Sequence, residues 1–201
     1  MRNFEYFAPT QVIFGKDTHL QIGTLLKGQN CHKVLIHYGG HSAVKSGLID
    51  EIKKNLDEAG IAYVTLGGVV PNPRLSKVRE GIELCRRENV DFLLAVGGGS
   101  VIDSCKAIGY GLANPETDVW KFFLRTETPK ACLPVGVILT IAASGSEMSN
   151  SCVITNEEGW LKRSTARNDL CRPRFAILNP RLTYTLPQYQ TESGCVDILM
   201  H

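Results

Sequence analysis

Short apolar runs alternate with amphipathic stretches along the chain. Lys33-Val34-Leu35-Ile36-His37-Tyr38 is a compact apolar run closed by Gly39-Gly40, the pattern of a buried strand. Over 43–59 the apolar positions Val44, Leu48, Ile52 and Leu56 recur at helical spacing, and Gly60 supplies the C-terminal cap. A strand is predicted over 61–66, then a helix over 74–89 with Val78, Ile82 and Cys85 on one face. A third strand over 90–96 runs into Gly97-Gly98-Gly99-Ser100, which opens another helix. Residues 4–14 predict a leading strand or hairpin, and 133–139 and 175–178 two further strands. The stretches 152–155 and 161–165 flank Asn156-Glu157-Glu158-Gly159 as a hairpin, and Pro187 starts a last helix that runs to His201. Strands and helices alternating at these lengths imply right-handed crossovers and a mainly parallel, Rossmann-like α/β sheet.

Bulk properties narrow the function classes. With 43% hydrophobic and 21% charged residues, an ordinary soluble core is expected. The net charge is +2 and the densest basic stretch, 162–174, is broken by Asp169 and apolar residues, which argues against nucleic acid as a partner. The seven cysteines include no Cys-x-x-Cys pair and several lie in apolar runs, so reduced thiols in a cytoplasmic protein are expected. No leader peptide and no membrane-spanning run is apparent.

Four places carry candidate chemistry. At Gly97-Gly98-Gly99-Ser100, glycines after a buried strand let the backbone approach a phosphate, and the helix start favours an anion. The alternative is a tight turn with positive-φ glycines, Ser100 as N-cap and Asp103 completing a capping box. The dinucleotide pattern G-x-G-x-x-G is absent. Gly39-Gly40-His41-Ser42 follows the first sheet strand and offers either an adenosine contact or a plain strand-to-helix turn. Thr140-Ile141-Ala142-Ala143-Ser144-Gly145-Ser146-Glu147-Met148 can line a cofactor or form a small-residue bend. Asp197 and His201 stand four apart on the last helix, either a half-site for Fe²⁺ or Zn²⁺ or a surface pair.

Together these residues resemble the iron-containing (group III) alcohol dehydrogenase family, in its butanol-dehydrogenase-like branch. The resemblance runs through Val12-Ile13-Phe14-Gly15-Lys16, Gly67-Gly68-Val69 with Pro71-Asn72-Pro73, and 91–103. It continues through Ser144-Gly145-Ser146-Glu147-Met148, Leu182-Thr183-Tyr184-Thr185-Leu186-Pro187 and Val196-Asp197-Ile198-Leu199-Met200-His201. It implies a dehydroquinate-synthase-like dinucleotide domain over 1–186 and, over 187–201, the start of an all-helical metal-binding domain that the 201 residues do not complete. It implies hydride transfer between NAD or NADP and a small alcohol or aldehyde, with one divalent metal. The lack of a carboxylate at Gly39-Gly40-His41-Ser42 favours NADP.

By position, Gly97, Gly98, Gly99 and Ser100 would hold the pyrophosphate, with Asp103 also among the cofactor-binding residues. Thr140, Ser144 and Ser146 would contact the cofactor, Lys162 a ribose, and Leu178 and Leu182 the nucleotide cleft. Asp197 and His201 would be two of four metal ligands. Ala142-Ala143-Ser144 replaces the usual Pro-Ala-Thr, and Asn179 stands where Asp is common. The resemblance further implies a homodimer of the full-length protein and an isolated 201-residue chain without turnover. Two other readings stay open: a non-catalytic nucleotide-binding module, and a relative of glycerol dehydrogenase.

Overall fold

A computed structural model describes residues 3, 5 and 7–200. The chain forms β1 (Gln11–Phe14), a 3-10 turn at Thr18–Gln21 and α1 (Ile22–Gly28). Next come β2 (Lys33–Tyr38), α2 (Ser42–Lys45), α3 (Leu48–Ala59), β3 (Ala62–Leu66) and α4 (Leu75–Glu88). β4 (Phe92–Gly97) leads into α5 (Gly99–Ala113), followed by α6 (Trp120–Leu124) and β5 (Val135–Leu139). The hairpin β6 (Val153–Asn156) and β7 (Leu161–Ser164), β8 (Phe175–Leu178) and α7 (Gln188–Met200) complete it.

Six strands form one sheet in the order β1-β8-β5-β4-β2-β3, and every neighbouring pair is parallel. Strand residues alternate between two buried layers, as the pleat requires. Leu35, Leu93, Ala95 and Val137 face the layer of α4, α5 and α6, whereas Ile36, Phe92, Leu94 and Val96 face that of α1 and α3. A sheet covered on both sides needs strands apolar on both faces, which is why β4 and β5 are buried throughout.

The strand order has a functional consequence. α3 follows β2 on one face of the sheet and α5 follows β4 on the other. Between these adjacent strands the winding reverses, so a crevice opens beyond their carboxyl ends. Ligands of open α/β sheets bind at such a switch point.

The structure departs from the sequence pattern at several places. The helix expected over 43–59 is two helices, because Gly47 adopts φ 80° between them, and Val44 is half-exposed rather than facing the core. Gly60 takes the predicted left-handed cap, with φ 69°. β1 is not part of a hairpin among the described residues; it pairs parallel with β8 at the sheet edge. α1 and α6, absent from the periodicity reading, each bury a few residues of a short helix, too few to establish a period. Neither positive-φ glycines nor a Ser100 cap explains the 97–100 turn. None of its glycines has positive φ, and the N-cap is Gly98.

Candidate functional site

The loops at the carboxyl edge of the sheet bring together most of the residues singled out above. β4 ends at Gly97, and α5 starts two residues later with no side chain capping its first turn. Val101 and Ile102 already donate to the Gly98 carbonyl, so the N–H groups of Gly99 and Ser100 are the ones that face outward from the helix start, where the helix dipole adds partial positive charge.

The three glycines are required by close approach. A β-carbon on Gly97 would stand 2.6 Å from Val101 Cγ2, and one on Gly98 2.4 Å from Ile141 Cγ2. One on Gly99 would stand 2.4 Å from Ser144 Oγ. The turn is therefore pressed against 140–144 on one side. On the other, a β-carbon on Gly39 would meet Val101 Cγ2 at 3.8 Å. Gly39, 97–99 and 140–144 are thus neighbours at this edge, where Ser100 is half-buried and Gly40, Ser42 and Ser144 are exposed.

At the same edge lies a cavity of about 320 Å³, walled in part by Ser42, Thr140, Asn179 and Leu182. Asn179, 2% exposed, organises the wall. Its side-chain oxygen accepts the Arg181 N–H at 3.1 Å, and its amide lies 3.0 Å from His19 Nδ1. The other ring nitrogen of His19 meets Glu51 Oε2 at 2.9 Å. Asp17, also on the cavity wall, pairs with Arg181 at 3.0 Å. Asn at 179, where Asp is common, therefore presents an amide donor to the imidazole. Sequence reasoning assigned that difference no consequence, and it passed over His19, whose partners lie far away in the chain. Leu178 is the last residue of β8 and packs against the α4–α5 layer, so only Leu182 of that pair lines the cavity.

Asp103 and Ser146 face each other. Ser146 Oγ donates to Asp103 Oδ1 at 2.5 Å, and the Val153 N–H donates to Asp103 Oδ2 at 3.0 Å. Burial pushes the Asp103 carboxyl above the usual carboxylate range, opposed by the Ser146 hydrogen bond and the charge of Lys106. Ser146 is 5% exposed. Lys162, on β7, is exposed and donates to Asn72 Oδ1 at 2.7 Å, across from the Pro71-Asn72-Pro73 turn.

These features fit a dinucleotide: an uncapped helix start for the pyrophosphate, glycines that keep its approach open, and polar cavity walls for a nucleoside. For a metal the donors fit only in part. Asp197 lies half-buried on α7, and His201 lies outside the described residues. Among the described residues no group of three or more His, Cys, Asp or Glu side chains could hold an ion.

The model of the family described as iron-containing alcohol dehydrogenase matches residues 9–180. The whole chain is 44% identical to a probable NADH-dependent butanol dehydrogenase of Bacillus subtilis and 37% identical to an NADPH-dependent aldehyde reductase of Escherichia coli, covering 51% of each. A crystal structure of NADH-dependent butanol dehydrogenase A from Thermotoga maritima superposes with a TM-score of 0.95 at 41% identity, over all of this chain and 50% of that one. The chain spans about half the length of the curated relatives it matches. A family model matching most of the chain, joined to a parallel sheet with its glycine turn at the switch point, leaves one assignment: the chain belongs to the iron-containing alcohol dehydrogenase family.

Proposed function

We infer that the protein is an NAD(P)-dependent, metal-containing alcohol dehydrogenase or aldehyde reductase. Residues 1–186 are its dinucleotide domain, and 187–201 open a helical metal-binding domain. The observation that carries this reading is the uncapped start of α5 at the switch point between β2 and β4, bordered by 39–42 and 140–144. The first turn of α5 and Ser100 hold the pyrophosphate. The cavity beside Thr140, Asn179 and Leu182 takes the adenosine, and Lys162 reaches a ribose hydroxyl. Asp103 and Ser146 act by holding the loop over the site.

NADP(H) is the favoured cofactor. Ser42 and Lys45 are exposed beside a turn without a carboxylate, and both acids on the cavity wall, Asp17 and Glu51, are already paired with Arg181 and His19. Asp197 and His201 contribute to a site for Fe²⁺ or Zn²⁺, completed by donors beyond these 201 residues. When bound, the metal supplies Lewis acidity toward the substrate oxygen, and nicotinamide the hydride chemistry. The substrate is a small alcohol or aldehyde, and the full-length protein is a homodimer. Fluorescence titration with NADPH and NADH tests cofactor binding, and reduction of butanal with and without added Fe²⁺ or Zn²⁺ tests the reaction. Cofactor binding with no metal-dependent turnover in the full-length protein would favour the non-catalytic module instead.

A further inference from the structure

Lys106 is fully buried on α5, two turns from the glycine turn. Burying an ammonium without compensation is costly, so its surroundings are informative. Its Nζ donates to three backbone carbonyl oxygens of one loop: Ser146 at 2.7 Å, Ser149 at 2.9 Å and Ser151 at 3.0 Å. A fourth oxygen, Ser146 Oγ, lies at 3.2 Å. No carboxylate forms an ion pair with Lys106 among the described residues, and three carbonyls account for its three N–H bonds. Compensating charge comes from Asp103, about one turn earlier on α5 and linked to the ammonium through Ser146 Oγ. The helix thus grips the loop twice. Asp103 takes the Ser146 hydroxyl and the Val153 N–H, and Lys106 takes the carbonyls between them.

The cage resembles the oxygen coordination of a monovalent cation more than an ordinary lysine ion pair. The loop it gathers continues directly from Ser144, whose Oγ occupies the space a Gly99 side chain would need. We propose that Lys106 is a positioning residue, a tethered cation. Its carbonyl cage holds 144–151 against the start of α5 and so sets the wall of the pyrophosphate groove. The proposal rests on the cofactor reading above. Lys106 touches neither cofactor nor substrate; it acts through the backbone of Ser146.

The discriminating test is chemical rescue in the full-length protein. Lys106→Ala empties the cage and opens a channel where the side chain ran, whereas Lys106→Met removes the charge and fills the channel. Both variants are expected to lose about tenfold or more in NADPH affinity, because loop carbonyls are left unpaired in a buried site. Ammonium or propylammonium chloride should restore affinity to Lys106→Ala. Neither salt should restore Lys106→Met or change the wild type, and tetramethylammonium, too large and without donors, should rescue neither variant.

Wild-type affinity in Lys106→Met, or loss in Lys106→Ala that ammonium does not reverse, overturns the proposal. Equal recovery with tetramethylammonium overturns it too, since that would be an effect of ionic strength. If Lys106→Ala does not fold, the same salts are compared for recovery of its circular dichroism, and failure of ammonium to outperform tetramethylammonium is again fatal. A wild type that binds neither NADPH nor NADH refutes the cofactor reading itself, and this proposal falls with it. A wild type that binds beside variants that bind equally well refutes only the role of Lys106.

Discussion

Gly194 of α7 packs directly on the carbonyl oxygen of Ala142, so closely that a β-carbon there would stand 2.6 Å from that oxygen. Gly194 is the buried residue of α7 among those described. The helix that carries Asp197 is therefore seated, through one glycine, on the turn that packs against the start of α5. This contact ties the candidate metal half-site to the candidate cofactor site.

Replacing Gly194 tests that seat. Within a helix, Gly→Ala ordinarily stabilises by up to about 1 kcal/mol. Here the methyl group would meet backbone, which cannot rotate away, so Gly194→Ala is expected to destabilise by about 1–3 kcal/mol. Iron or zinc bound per subunit in the full-length protein should fall as well, since α7 must lift. A melting temperature at or above that of the wild type would show that the contact does not restrain the helix.

Gly98 separates packing from binding. A side chain at this position would collide with Ile141, so Gly98→Val and Gly98→Ala are expected to lose about 1–3 kcal/mol of stability by overpacking. Adding Ile141→Ala removes the obstructing Cγ2. The double variant Gly98→Ala/Ile141→Ala should regain stability relative to Gly98→Ala but not cofactor affinity, because a methyl group would still intrude on the helix start. Recovery of both in thermal melts and NADPH titration would mean that the glycine serves packing alone.

The nucleotide preference rests on Ser42 and Lys45. NADPH is expected to bind about tenfold or more tightly than NADH, and Ser42→Asp to reverse the order by repelling the 2′-phosphate. Titration of the wild type and Ser42→Asp with both nucleotides checks this. Tighter NADH binding by the wild type would instead point to Glu51 or Asp17 as the ribose partner.

His37 makes stability depend on pH. It is fully buried, with one ring nitrogen 2.8 Å from the Leu66 carbonyl oxygen and the other 2.9 Å from Ser104 Oγ. Burial, the largest influence, lowers its pKa from 6.5 to about 4. Because the folded value lies below the unfolded one, the unfolded chain takes up the proton first. The contribution to stability is complete above about pH 6.5 and is lost as pH falls through 4. The full loss is on the order of 3 kcal/mol, from 1.36 kcal/mol per pKa unit. Denaturant titrations between pH 7 and 4 should show this slope in the wild type and a shallower one in His37→Gln. Equal slopes would exclude His37 as its source.

Much of the fold is written in local pattern. The apolar run at 33–38 has an apolar residue for each face of the sheet, and Val78, Ile82 and Cys85 recur at helical spacing, so β2 and α4 follow from period alone. The glycine turn after β4 is equally local, since three consecutive glycines between a strand and a helix signal close approach by something. The sequence could not say by what. Ile141 and Ser144 reach Gly98 and Gly99 only because β5 lies next to β4, a choice made by sheet pairing. Position 47 breaks a helix whose apolar spacing runs straight across it, because the left-handed conformation of Gly47 outweighs the period.

The polar interior was the least legible part. Nothing in the local pattern singles out Lys106, Asp103 stands out only as a capping-box partner or cofactor contact beside the glycine turn, and His19 and Asn179 stand 160 residues apart. What each side chain touches depends on loops that pack across the sheet edge, and a buried charge or amide takes its meaning from those partners. Composition and spacing determine which residues can carry chemistry. The tertiary structure decides which of them face the groove and which, like Asp103 and Lys106, are spent holding its wall in place.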